Sequence, residues 1–146
     1  MQKLTGKEYI AYWDNRIGRG PEQVGRHGST MEQVEAQGDA YFKAMLPFFP
    51  GRNFPCVKPY WILEYGSGYG RILKRLRGLY PNASLFGSDL CKKAIDSSWR
   101  DGRTRLFCST TVPEVALDGV FDLVLTVTVL QHITDDQMFN EICSKL

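Results

Sequence analysis

Three glycines at alternate positions, Gly66, Gly68 and Gly70, follow a short apolar run that ends in a carboxylate, Trp61-Ile62-Leu63-Glu64-Tyr65. Glycine lets the backbone take positive φ and come nearer to a ligand than a Cβ allows, so the segment reads as a nucleotide-cofactor loop between strand and helix. The spacing narrows the cofactor. The dinucleotide pattern G-x-G-x-x-G counted from Gly66 needs glycine at 71, and Arg71 stands there. Two acids flank the loop. Asp89 closes the next apolar run, where such folds set a carboxylate on a ribose diol and hold it through two hydroxyl hydrogen bonds; a cap on the following helix is the alternative. Glu64 ends an otherwise apolar run with no basic partner close in sequence, so a cationic ligand accounts for it, and an exposed strand-end Glu is the alternative. His132, with a reference pKa near neutrality, is a candidate general base.

The elements that must position these residues are legible from punctuation and periodicity. Thr5-Gly6-Lys7-Glu8 has capping-box spacing and predicts a first helix towards Ile17, stopped by Gly18 and Gly20-Pro21. Ser29-Thr30 with Glu32 and Gln33 predicts a second helix, with Val34, Tyr41, Phe42, Met45 and Leu46 as its apolar face up to Pro47. Residues 1–50 therefore form a helical segment, a lid or cap, and the prolines of 51–59 make a linker. From residue 60 to 146 strand and helix patterns alternate, the mark of a parallel sheet with crossover helices. The expected strands are Tyr60 to Tyr65, Ala83 to Ser88, Arg105 to Ser109 and Phe121 to Val127, the last so apolar that it reads as a buried parallel strand. The expected helices carry Ile72, Leu73, Leu76 and Leu79, then Cys91 to Trp99, then a segment capped from Thr134.

Three blocks together carry a family likeness: Glu64-x-Gly66-x-Gly68-x-Gly70, Ser88-Asp89-Leu90, and Phe121-Asp122-Leu123-Val124 continuing to Val129-Leu130-Gln131-His132-Ile133. From about Tyr60 to its end the chain resembles the class I S-adenosylmethionine-dependent methyltransferases. The resemblance implies an α/β fold, a Rossmann-like parallel sheet in the order 3-2-1-4, truncated relative to the family's seven strands and preceded by two helices. It implies S-adenosyl-L-methionine as cofactor. Glu64 would help hold its methionine end, Asp89 its adenosine ribose, and Thr126 and Val127 its methionine portion from the fourth strand, with Gly66, Ser67, Gly68, Gly70 and Leu90 also among the cofactor-binding residues. The adenine edge falls to Ser109 or Thr110, which offer only hydroxyls where many relatives have an acid or amide. A His at the place of His132 more often packs inside its turn in this family than acts as a base, so no catalytic residue is assigned.

Bulk properties bound the rest. The 146 residues are 43% hydrophobic, enough for one core. A net charge of +2 creates no field that demands nucleic acid or an acidic membrane, and the basic set Arg71, Lys74, Arg75, Arg77, Lys92, Lys93, Arg100, Arg103 and Arg105 reads as solvated helix faces. A small-molecule acceptor is favoured. Cys56, Cys91, Cys108 and Cys143 are dispersed, which predicts reduced thiols, no metal site and, with no apolar run of membrane length, a cytoplasmic location. An order of 3-2-1-4 leaves the fourth strand with a bare edge, so the sequence is expected to be part of a longer protein or to pair that edge with a second copy. A cofactor-binding or assembly module without turnover is the alternative to an enzyme.

Overall fold

The computed structural model describes residues 6–25, 28–51, 55–109 and 121–146. Helix α1 (Gly6–Ile17) and a 3₁₀ turn at Pro21–Val24 lead to α2 (Met31–Met45), and the parallel unit then alternates β1 (Trp61–Tyr65), α3 (Arg71–Leu79), β2 (Ser84–Asp89), α4 (Lys92–Ser97) and β3 (Thr104–Cys108). After β4 (Leu123–Thr126) come a 3₁₀ turn at Leu130–His132 and α5 (Asp136–Cys143). The sheet order is β3-β2-β1-β4, with every pairing parallel. Four strands, two preceding helices and their order agree with the sequence reading, and the ends shift by a residue or two.

Local chemistry explains several boundaries. Thr30 and Gln33 form the reciprocal cap of α2, each side chain bonded to the other's backbone N–H, at 3.2 and 2.9 Å. The last helix departs from expectation: its cap is Asp135, whose Oδ1 accepts the Met138 N–H at 2.9 Å, one residue beyond Thr134. The cap expected at Thr5 lies outside the described residues.

The core lies between α3 and one face of the sheet, where Ile62, Leu85 and Leu125 meet Ile72, Leu73, Leu76 and Tyr80. The linker is pinned to it. Cys56 is buried there and donates its N–H to the Leu79 carbonyl at 2.7 Å, while the Tyr80 hydroxyl donates to the Pro50 carbonyl at 2.6 Å. β4 differs from the sequence reading: of its four residues only Leu125 is buried, because it stands at the sheet edge. Apolar composition there reflects one packed face, with the outer edge unpaired among the described residues.

The expectation of solvated basic faces agrees with the exposure of Lys74, Lys92, Lys93, Arg100, Arg103 and Arg105 and needs correcting for Arg71, Arg75 and Arg77. Arg75 binds Glu35 and Asp39 of α2, both at 2.7 Å, and the Arg71 carbonyl at 2.8 Å. Arg77 donates to the Tyr80, Pro81 and Ala83 carbonyls and pairs with Asp101. Arg71 donates to the Val34 carbonyl at 2.8 Å. These guanidiniums fasten the helical segment and the β2 approach to α3; the α2 partners of Arg71 and Arg75 lie 36 to 40 residues away, too far for local pattern to find, whereas the carbonyls that Arg77 binds are three to six residues on.

Candidate functional site

The carboxyl ends of β1, β2 and β4 open into a cavity of about 430 Å³. Its floor is the glycine loop with Glu64 and Asp89, and its walls include Tyr9, Trp13 and Ile17 of α1, Val24, and Val127 to Val129 with His132 and Ile133. Ligand sites in parallel α/β folds lie at this end of the strands.

The three glycines do different jobs. Gly66 has φ 76°, and a Cβ there would lie 2.1 Å from the Val129 side chain, so the loop is locked to the segment after β4. A Cβ on Gly70 would meet Ser98 Oγ at 2.5 Å. Gly68, at φ 52°, has only Val24 near its missing Cβ, at 3.5 Å. Only Gly68 keeps the open approach that the sequence reading gave to all three; the others are needed by the chain's own packing.

Asp89 turns into the loop. Its Oδ2 accepts the Gly68 N–H at 2.8 Å and its Oδ1 the Cys91 N–H at 2.9 Å; the latter closes a turn before α4, whose N-cap is Cys91, so Asp89 is not the helix cap weighed as the alternative. Burial pushes its carboxyl above the ordinary range, against the pull of these N–H groups. Each oxygen retains acceptor capacity. Glu64 is only 2% exposed and Oε2 has no hydrogen-bond partner among the described residues. Burial holds its carboxyl well above the usual value; the Arg71 charge, the Leu73 N–H in the first turn of α3 and the Asp89 charge are smaller influences, the first two lowering it and the last raising it. The basic neighbour absent from local sequence is thus Arg71, although its guanidinium is bonded to Val34. The strand-end Glu is not exposed.

Ser67, Gly68, Leu90 and Val127 also line the cavity. Ser109 does not, and its N–H bonds the Asp89 carbonyl at 2.9 Å; Thr126 stands behind the lining with its hydroxyl buried and unpartnered among the described residues. Thr110 lies outside the described residues. Sequence reasoning missed Thr128, which lines the cavity at φ 60°, a conformation β-branched residues rarely adopt and one that turns the chain from β4 toward Val129.

Helix α1 crosses over the site. Its Ile17 carbonyl accepts the Tyr69 hydroxyl at 2.9 Å, and the Trp13 ring has the Arg16 guanidinium 5.1 Å and the His132 ring 4.5 Å from its centre. Tyr12, next to Trp13 on the same helix, is 47% exposed and outside the lining; Tyr9, one turn earlier, faces in. Burial, with smaller contributions from nearby Asp89, pushes the Tyr9 and Tyr65 hydroxyls up to about 12, so both stay protonated. Burial and the Arg16 charge lower His132, which favours its neutral imidazole.

Comparison with known proteins places this arrangement in a class. The family described as "Methyltransferase domain" matches residues 63–146, and the chain belongs to it. It is 37% identical over 93 residues to a malonyl-[acyl-carrier protein] O-methyltransferase of Geobacter sulfurreducens, an alignment covering 58% of this chain and 34% of that protein. The chain thus spans about a third of the length of the curated relative it matches. Among solved structures, the magnesium protoporphyrin IX methyltransferase of Synechocystis PCC 6803 with bound S-adenosylmethionine superposes at a TM-score of 0.62 with 12% identity, covering 99% of this chain and 72% of that one. The geranyl diphosphate C-methyltransferase of Streptomyces coelicolor A3(2), with S-adenosyl-L-homocysteine, gives 0.58 with 14% identity over 87% of this chain and 56% of that one. The fold is that of the class I methyltransferases.

Proposed function

We propose that the chain is an S-adenosylmethionine-dependent methyltransferase, or the cofactor-binding part of one, with the cavity over the glycine loop as its cofactor site. One observation carries the reading: a buried carboxylate with an unpartnered oxygen, Glu64, and a second one with spare acceptor capacity, Asp89, flank the open Gly68 in a single cavity. An unpaired acid in such a place is expensive unless a cation or donor arrives. The methionine ammonium answers Glu64 and the ribose diol answers Asp89.

The chain's own residues then divide the work. Gly68 gives backbone access, with the Ser67 hydroxyl beside it, buried and without a partner among the described residues. Leu90 offers an apolar face to adenine, Val127 and Thr128 border the methionine portion, and Ser109 with Thr110 remains the proposed adenine edge. When bound, the sulfonium supplies an electrophilic methyl group for in-line displacement. The enclosing wall of Trp13, Ile17, Val24 and Met138 excludes water and holds an acceptor near the methyl carbon, where positioning provides most of the rate. The neutral imidazole of His132 is available to an acceptor that must lose a proton.

A small, largely uncharged acceptor fits these walls better than nucleic acid, since Arg71, Arg75 and Arg77 are engaged within the chain. The helical segment 1–50 acts as the cap and 60–146 as the binding unit. No helix among the described residues is long and apolar enough to cross a membrane, consistent with work in the cytoplasm. The outer edge of β4 is the candidate surface for a second copy, to be tested by light scattering over a concentration series.

Calorimetry with S-adenosylhomocysteine tests the reading. Wild type should bind and Gly68→Val should not, while its folding is followed by circular dichroism. Preference for NAD over the adenosyl ligand would overturn the proposal. Binding without turnover over a broad acceptor panel would make the chain a cofactor-binding module.

A further inference from the structure

The capping helix brings one group to the cavity that cofactor recognition has not used. Tyr9 of α1 and Tyr65 at the end of β1 are both buried, share an apolar cluster with Ile133 and Ile142, and line the cavity beside Asp89. Their rings are held by that cluster. Neither hydroxyl has a hydrogen-bond partner among the described residues, although Tyr69 and Tyr80 donate theirs to carbonyls. Neither oxygen is among the fully buried polar atoms left without a partner, so both hydroxyls stay open to the cavity, where a ligand oxygen can take the place of water.

Asp89 has the complementary shortage. An ionised carboxylate only accepts, and it already takes the Gly68 and Cys91 N–H groups. A ribose diol gives each of its hydrogens to the carboxylate and is left with oxygen lone pairs that Asp89 cannot serve. Protonated phenol hydroxyls serve them.

We infer that Tyr9, together with Tyr65, completes the diol subsite of Asp89 by donating to the ribose oxygens, so that the capping helix is itself part of the cofactor site. The inference rests on the cofactor reading above and deepens it. It also gives α1 a reason to sit where it does: ligand binding strengthens its docking through Tyr9, and its docking strengthens binding by the same factor.

A double-mutant comparison tests the contact, with Tyr9→Phe and Tyr65→Phe measured by calorimetry against S-adenosylhomocysteine and its 2′,3′-dideoxy analogue. Each substitution should weaken binding of the parent ligand roughly threefold to tenfold, the loss of one hydrogen bond. It should leave the affinity for the dideoxy analogue unchanged, a result that a merely structural role does not produce. Melting temperatures of the unliganded variants should match wild type. Equal losses on both ligands, or none on either, would overturn the inference. Failure of wild type to bind the parent ligand would instead overturn the cofactor assignment.

Discussion

On the α3 side of the sheet, Ile62, Leu85 and Leu125 close on Ile72, Leu73, Leu76 and Tyr80, and the polar fringe is satisfied by Arg75, Arg77 and the Tyr80 hydroxyl. At the carboxyl ends of the strands the same sheet leaves polar atoms waiting. Of the five buried side-chain polar atoms without a hydrogen-bond partner among the described residues, four belong to Glu64, Ser67, Ser88 and Thr126; the fifth, Arg77 Nε, lies against the Asp101 carboxylate. Thr128 adds its left-handed backbone to the same end. The first region is complete without a ligand, and the second is not. Unpaired polar atoms and backbone strain persist where surrounding structure compels them, and they gather at sites of function.

The largest effects should therefore separate cleanly. Leu76 is fully buried, so Leu76→Ala should lower unfolding free energy by about 2–5 kcal/mol in a denaturant titration. The affinity of the fraction that remains folded should not change. Loss of affinity in proportion to stability would erase the distinction between the two regions.

Gly66 and Gly68 sharpen it within a single loop. Gly66→Ala sets a Cβ against Val129 at positive φ and should cost about 2–3 kcal/mol of stability. Gly68→Ala meets only Val24, so it should cost on the order of 1 kcal/mol, mostly from its backbone conformation, while weakening S-adenosylhomocysteine far more than that. Asp89→Ala should reduce affinity by about 1.5–3 kcal/mol as the charge-assisted hydrogen bonds disappear, measured by calorimetry. An Asp89→Ala protein that binds as wild type would assign the carboxylate to the Cys91 turn alone.

What could be read from sequence follows the same division. The strands and helices, the Thr30–Gln33 cap and the α3 core were legible because each rests on residues a few positions apart, the acid-glycine-acid arrangement belongs to the same local grammar, and the strand order came through the family resemblance those blocks carry. Tyr9 was not legible. Which face of α1 meets the cavity depends on how the helix lies over β1 and the segment after β4, and Tyr12 and Trp13 are equally aromatic candidates one turn away. The binding of Arg71 to the Val34 carbonyl, across 37 residues, is a tertiary event, as is the φ of Thr128, imposed by the turn toward Val129. The apolar run of β4 misled because composition cannot distinguish a central strand from an edge with one packed face.

The smallest predicted effect concerns protons. Burial raises Glu64 well above its reference value of 4.5, with Arg71 pulling it down and Asp89 pushing it up, so the ligand-free fold favours the neutral acid. A raised carboxyl contributes stability that is full below the unfolded value near 4.5 and is lost as pH rises through the folded one. Ligand binding runs the other way. An ammonium beside Glu64 favours the carboxylate, so S-adenosylhomocysteine should expel a proton, and its affinity should rise by up to about tenfold per pH unit between the bound and free pKa values. Calorimetry in buffers of different ionisation enthalpy measures that proton directly. Glu64→Gln should remove both the proton release and the pH slope, bind more weakly, and stabilise the ligand-free protein on the alkaline side of the window. A Gln variant that keeps the slope would move the titration to Asp89, whose carboxyl is also raised by burial.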